Sequence, residues 1–447
     1  MAPAIMTLAA DAPKLDSGST AFMLISAALV MVMTPGLAFF YGGMVRVKSA
    51  LNMLMMSFIS LGIITVLWTL YGFSFAFGSG NGFMGGTHWF GMRHIGIGEL
   101  WPGYGIPVYV FAVFQLMFAI ITPALISGAL ADRVKFTAWS LFITLWATVV
   151  YFPVAHWVWA SDGWLFKKGV IDFAGGTAVH INAGAAALGV ILVIGKRKGF
   201  KRDPMRPHNL PLVMLGCGLL WFGWFGFNAG SWLGSDGVAA VAFTNTQVAT
   251  AAAMLGWLIY ERLRHGSFTT LGAASGAVSG LVAVTPACGS ISPLGAILLG
   301  LVTGVICAAA VGLKYRFNYD DSLDVVGVHM VGGIVGSLSI GFLATGGVGQ
   351  TAKGVFYGGG WHQLGLQFIG VGAVLGYSLV CAVVLAKLID LVMGFRVTED
   401  EEITGVDQVL HAETAYDFAG VGGARSAADP AATSSEAGAS PVKKVDA

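Results

Sequence analysis

Eleven runs of apolar sequence dominate this chain, and none of them carries more than two charged residues. They cover residues 20–43, 51–77, 109–130, 137–160, 175–195, 212–229, 243–260, 270–288, 293–313, 325–344 and 364–394. A helix needs about 20 such residues to cross a bilayer, and inside it every backbone N–H and C=O must be bonded within the segment. The fold class that follows is an all-α polytopic membrane protein with eleven transmembrane helices. Apolar residues are 56% of the 447 and charged residues 11%, where a soluble protein carries about 25% charged. That excludes an ordinary soluble enzyme and, for most of the chain, disorder. A net charge of +1 offers nucleic acid no basic field.

Loop charge orients the spans, because Lys and Arg collect on the cytoplasmic side. With the N-terminus outside, the inner loops hold fifteen basic residues, from Arg46 and Lys48 through Arg133, Arg197 and Arg262 to Lys314 and Arg396. The outer segments hold five: Lys14, Arg93, Lys167, Lys168 and Lys353. The alternation runs the length of the chain, so eleven crossings place the N-terminus outside and the C-terminus inside. Residues 1–19 are then an extracytoplasmic segment with no cationic start of the kind a leader peptide has. Residues 20–394 form the membrane domain. Residues 395–423 form a cytoplasmic tail of mixed charge. Residues 424–447 are rich in Ala, Ser and Pro and are expected to be disordered.

Glycine is 64 of 447, about twice the usual ~7%, which predicts helices packed backbone to backbone. Cys217, Cys288, Cys307 and Cys381 lie in or beside apolar runs without a CxxC spacing. They read as packing residues, with no disulfide framework, metal site or cofactor.

Two segments resemble each other. Asp172 precedes Gly175 to His180 at the start of the fifth span, and Asp324 precedes Val325 to His329 at the start of the tenth. They are the fifth members of two five-span halves. Five is odd, so the halves must be inverted relative to each other, an architecture whose substrate path lies at the repeat interface. Two intramembrane histidines at matching positions suit a small neutral molecule that makes hydrogen bonds. They do not suit a hydrated metal ion. Phe114 and Phe118 share a face of the third span. Trp159 closes the fourth span, and Trp224, Phe225, Phe227, Asn228 and Ser231 close the sixth. Aromatic residues at a boundary fit either an interfacial belt or a cation site with a hydroxyl acceptor.

With these residues in view, the chain resembles the ammonium transporter family (Amt, Mep and Rhesus proteins), and its Amt branch in particular, from about Met31 to Phe418. The resemblance rests on Thr34 to Gly43, Phe114 to Ala119, Asp172 to Gly184, Trp224 to Ser231 and Asp324 to His329. It implies eleven helices in an inverted five-plus-five repeat, assembled as homotrimers with one pore per subunit. It implies that Phe118, Trp159 and Ser231, with Phe114 beside them, form an external ammonium recruitment site. Asp172 would support that site, and it also fits an N-cap of the fifth span. Phe118 and Phe227 would form a stacked gate. His180 and His329, with Trp224, would line the pore. The activity implied is uptake of ammonium with passage of ammonia, with or without separate proton transfer.

No HExxH, GxSxG or Walker A run suggests an enzyme. The rival readings are a neutral gas channel for ammonia or carbon dioxide and an ammonium sensor. A gas needs no cation cage, and the tail is too short for a fused signalling domain. The resemblance also implies residence in the plasma membrane. It makes the segment from Gly394 to Tyr416 a regulatory tail packed under neighbouring subunits, with a PII-type signal protein as a partner at that face.

Overall fold

A computed structural model of the chain describes residues 13–203 and 205–416. The expected disordered segment and residues 417–423 of the tail lie outside the described residues. Among those described, the chain is helical, with isolated β-bridges and no strand. The main helices are α1 (Ser17–Met44), α2 (Val47–Phe77), α3 (Val108–Leu130), α4 (Phe136–Lys168), α5 (Gly176–Ile194), α6 (Leu210–Gly230), α7 (Gly237–His265), α8 (Thr270–Val284), α9 (Pro293–Phe317), α10 (Val326–Leu343) and α11 (His362–Met393). Ten of these are long and apolar enough to cross a membrane; α8 is apolar but has 15 residues. The eighth apolar run was expected to reach residue 288. The helix stops short because Pro286 has no N–H to continue the ladder, and the chain goes on in turns to Ser290. At the other end of the chain α1 starts at Ser17, three residues before the expected boundary. Asp16 caps it by accepting from the amides of Gly18 and Ser19 at 2.9 and 3.2 Å.

Helix ends follow capping chemistry. Asp236, Thr269 and Ser292 accept from first-turn amides of α7, α8 and α9, and Pro293 opens α9. Between these ends, glycines bring backbones together. On α6, a Cβ at Gly216 would strike the Phe40 amide, and one at Gly223 would lie 2.6 Å from the Leu29 carbonyl. On α9, a Cβ at Gly300 would strike the Ala249 carbonyl and one at Gly304 the Ala253 carbonyl. Filling such a contact costs about 1–3 kcal/mol. Gly300→Ala should therefore lower the thermal midpoint in detergent by several degrees, while Gly376→Ala, with open space around its Cβ, should leave it unchanged. Equal midpoints would show that α7 and α9 are not held this closely.

The two halves meet with the same register. Gly184 lies four residues after His180, and its Cβ would strike Met330. Gly333 lies four residues after His329, and its Cβ would lie 3.0 Å from Ile181 Cγ1 and 2.9 Å from the Gly176 carbonyl. Each histidine's helix thus crosses the other at a glycine one turn on, which is what an inverted repeat about a two-fold axis requires.

The basic loops gather at one end of the bundle, here termed the basic face. Arg197 makes a two-pronged pair with Asp320 (2.8 and 2.9 Å) and reaches Asp132 at 3.2 Å; Arg46 also pairs with Asp132 at 3.1 Å. Burial pushes the Asp320 carboxyl up, but the bonds from Arg197 and the charge of Arg133 outweigh it and hold the group at about 2. Arg133, wholly buried, donates to the carbonyls of Ala129, Ala131, Gly195 and Asp320. The tail docks onto this network through two short helices, α12 (Glu399–Thr404) and α13 (Val406–His411). Glu402 accepts from Arg396 at 2.7 Å and from the Lys198 amide at 2.7 Å. Asp407 accepts from the amides of Leu51 and Asn52 at 2.9 and 2.8 Å, and so caps α2 from 355 residues away. The described part of the tail therefore packs against its own chain.

Candidate functional site

At the end of the bundle away from the basic face, α2, α3, α4 and α6 surround a pocket. Helix geometry in α4 breaks after Trp159, where Ala160 is extended (φ −74°, ψ 143°), and resumes over Trp164–Lys168. The Trp159 indole Nε1 donates to the Asp172 carbonyl at 3.0 Å, which fixes the ring. Its plane meets Phe118 edge-on, at 5.9 Å between centroids and 82°. Trp157 faces elsewhere: it donates to the Phe83 carbonyl at 2.9 Å and packs on Tyr377. Ser231 follows α6, and its hydroxyl donates to the Phe227 carbonyl at 2.7 Å, leaving its lone pairs as acceptors. Phe118, Trp159 and Ser231 therefore line one pocket.

Phe114 and Asp172 do not line it. Phe114 is fully buried behind Phe118, 5.0 Å between centroids. Asp172 works from behind, through its carbonyl on Trp159 and its carboxylate on α5. Six lining residues carried no assigned role in the sequence: Phe77, Trp101, Phe111, Gln115, Phe173 and Leu233. Gln115, between Phe114 and Phe118, has a buried Oε1 with no partner. Trp101 comes from the loop 84–105, in which the sequence showed no usable feature. It stacks on Phe111 at 3.7 Å and 11° and closes one side of the pocket. A polar residue inside an apolar run was a legible signal for Gln115; nothing local marks Trp101 among the other loop aromatics.

Toward the basic face the pocket ends on two rings. Phe118 and Phe227 lie 4.2 Å apart with planes at 35°. Beyond them is a cavity of about 10 Å³ lined by ten apolar side chains and by His180 and His329. That is the space one water-sized molecule needs. The two imidazoles face each other with Nδ1 atoms 3.3 Å apart and planes at 24°. Trp224 stacks on His180 (5.5 Å, 20°) and is itself held by its indole donating to Thr285 at 2.8 Å. Two facing nitrogens can share one proton. One ring then carries its N–H at Nδ1 and a bare Nε2, and the other the reverse. His180 Nε2 has no partner, so the pair presents a donor and an acceptor to an otherwise apolar cavity.

Both histidines sit on π-helical turns, 176–181 and 326–330, a wide turn common at functional sites. In α5 the cause is explicit. The Asp172 carboxylate accepts from the amides of Gly175 (2.8 Å), Gly176 (2.6 Å), Thr177 (2.8 Å) and Ala178 (3.1 Å), and from the Thr177 hydroxyl. The chain enters this turn through Gly175 at φ 119°, a left-handed conformation that suits glycine. The His180 amide then bonds five residues back to Gly175 at 3.0 Å.

The second half repeats this with a different acid from the one expected. Asp324 is paired with Lys314 at 2.6 Å. Asp321 accepts from the amides of Val325 and Val326 at 3.0 and 2.7 Å. The spacing agrees: Asp172 lies eight residues before His180, and Asp321 eight before His329.

Among the described residues no group of three or more potential metal ligands occurs. The family model described as "Ammonium Transporter Family" matches residues 21–416. An ammonium transporter of Mycobacterium tuberculosis is 55% identical over 434 residues, covering 90% of this chain and 91% of that one. The crystal structure of Saccharomyces cerevisiae Mep2 superposes with a TM-score of 0.80 at 34% identity, covering 87% of this chain and 89% of that one. The structure of a sensor Amt protein superposes at 0.81 with 27% identity, covering 88% and 98%. The chain is a multi-pass membrane protein that belongs to the ammonium transporter family.

Proposed function

We propose that the pocket recruits ammonium and that ammonia passes through the cavity below it. The observation that carries this reading is the change of lining along one axis. Above the gate are aromatic faces and two oxygen acceptors, Ser231 Oγ and Gln115 Oε1; below it is an apolar cavity broken only by two imidazoles. Aromatic faces attract a cation where water is sparse. Ammonium also donates hydrogen bonds, which potassium of similar size cannot, and the acceptors reward that difference. An unpaired charge in the lower cavity would be expensive, so ammonium gives up a proton near the Phe118–Phe227 gate, and that proton either returns to the outside or crosses separately. Ammonia then needs the donor and acceptor of the imidazole pair as its only polar contacts.

The same reading places eleven crossings in the plasma membrane, N-terminus out and C-terminus in, as a homotrimer with one pore per subunit. It makes the chain a transporter and not an enzyme, and it offers the basic face and tail to a PII-type signal protein.

The test is an ammonium pulse on proteoliposomes, recording current and internal pH together, with potassium as control. A response to ammonium and none to potassium is expected, and a current would mean that the released proton crosses as well. Internal alkalinisation without current would mean net ammonia passage. Neither signal above empty liposomes would replace transport by sensing, the role for which the similar sensor Amt protein is named. Within the transport reading, Trp159→Leu removes a π-face and one wall. It should raise the half-saturating ammonium concentration roughly fivefold, as the loss of ~1 kcal/mol of cation–π attraction implies. Identical kinetics would move the recruitment site elsewhere.

A further inference from the structure

His156 lies on α4 one turn before Trp159, and none of its surface reaches solvent. Its Nδ1 is 3.1 Å from the Ala76 carbonyl oxygen and its Nε2 is 2.7 Å from the Asn81 carbonyl oxygen. Asp162 Oδ1 is 3.3 Å from the same Nε2. All three neighbours are oxygens, and a main-chain carbonyl oxygen cannot donate. A neutral imidazole has one N–H and one bare lone pair. In either tautomer that lone pair would face a carbonyl lone pair at contact distance, with no exposure to water that would relieve it. The doubly protonated ring has a donor for each carbonyl, and Asp162 supplies the balancing charge. His180 and His329 differ, because their nitrogens face each other and need only one proton between them.

We infer that His156 is an imidazolium that staples two walls of the recruitment pocket in place, and so is a positioning residue for ammonium binding. The staple joins the residues that set those walls. Ala76 immediately precedes Phe77, which lines the pocket. Asn81 lies in the loop that follows α2, and Asp162 holds that loop a second time by accepting from the Gly80 amide at 2.9 Å. The main-chain carbonyl of His156 accepts from the Ala160 amide at 3.1 Å, the bond that closes the helix at Trp159. Loss of one ring proton would release either the end of α2 or the loop, and with it the spacing of Phe77 and Trp159 across the pocket. The positioning half of this inference rests on the transport reading above; the protonation half does not.

The first test is solid-state NMR on the full chain in liposomes at neutral pH, with histidine labelled in ¹⁵N and carbonyls in ¹³C. Correlations from the ring to the Ala76 and Asn81 carbonyl carbons identify His156 without any substitution. Two protonated ring nitrogens are expected, and a bare nitrogen at this ring overturns the inference. The second test is transport by His156→Gln and Asp162→Asn, each confirmed monodisperse in detergent. Gln keeps a donor on one side only, and Asn removes the balancing charge. Both should raise KM for ammonium by about tenfold while kcat moves less than about threefold, the signature of lost binding geometry. His156→Phe, with no donor, should be worse than His156→Gln. An unchanged KM in both variants overturns the positioning role. A wild-type protein that shows the doubly protonated ring but moves no ammonium would support the staple and count against the transport reading instead.

Discussion

His180→Leu and His329→Leu should each cut ammonium flux about fivefold to a hundredfold, or else admit potassium. The range follows from the pair's geometry. Each imidazole offers the passing molecule one hydrogen bond in a cavity whose other lining is apolar. A hydrogen bond lost where nothing replaces it costs about 1–3 kcal/mol, and each 1.4 kcal/mol on a barrier is about tenfold in rate. The single variants carry a second penalty. With one ring gone, the other loses the partner of its Nδ1, now 3.3 Å away, and keeps a buried unpaired nitrogen. The double variant removes both rings and leaves none. Its loss should therefore fall well short of the product of the two single losses, the non-additivity expected of groups that act as a unit. Unchanged flux together with unchanged potassium exclusion in both single variants would remove the histidines from the path. Fully multiplicative losses would show that the two rings act separately.

How much of this was readable in the sequence depends on the range over which each signal acts. Hydropathy is a local signal, and it placed most of the helices to within a few residues. It missed more at α7, which runs six residues further at its start and five at its end, and at α8, where Pro286 ends a helix inside an apolar run that hydropathy alone reads as continuous. The histidines were readable because an ionisable group in an apolar run is rare and because the two halves repeat. The acid that matches Asp172 was misplaced by three residues. Asp324 stands next to the repeated valines and glycine, but the count back from the histidine selects Asp321, and only the amides of Val325 and Val326 show which carboxylate caps the turn. Trp101 was unreadable because its place in the pocket is fixed by stacking on Phe111, across a loop whose own sequence has no periodicity. Asp407 was unreadable for a related reason. Its carboxylate caps a helix 355 residues away, a pairing that no spacing rule encodes. The pocket was thus legible at Phe118, Trp159 and Ser231, and illegible where the loop 84–105 closes it through Trp101.

Asp172→Ala should cost the protein more stability than any other single substitution in the site, on the order of 4 kcal/mol or more, the range that marks loss of a buried network. One carboxylate takes four consecutive amides and a hydroxyl at 2% exposure. Its negative charge also sits at the N-terminus of α5, where it is favoured. Alanine would orphan all five donors, and each buried donor left unmade costs about 1–3 kcal/mol before any relaxation. The π-helical turn has no other acceptor to hold it, so His180 would lose its register against His329. The Asp172 carbonyl that holds Trp159 would move with it. Recruitment and conduction should fail together. Asp172→Asn keeps one acceptor oxygen but sets an NH₂ against amides that also donate, so it should recover part of the stability and little of the transport. Asp321→Ala is the internal control. Its carboxylate takes two amides rather than four, and burial with the neighbouring charge of Asp324 pushes its carboxyl up, against the pull of Lys314. Less is lost when it goes, and the pocket at the far end keeps its shape. Thermal unfolding in detergent and ammonium flux in liposomes, run on all three variants, decide the matter. The expected order of stability is wild type, Asp321→Ala, Asp172→Asn, Asp172→Ala, with half-saturation for ammonium preserved only in the first two. An Asp172→Ala protein as stable as Asp321→Ala would mean that the wide turn is held by packing on Pro286 and Met330, and that the carboxylate only decorates it.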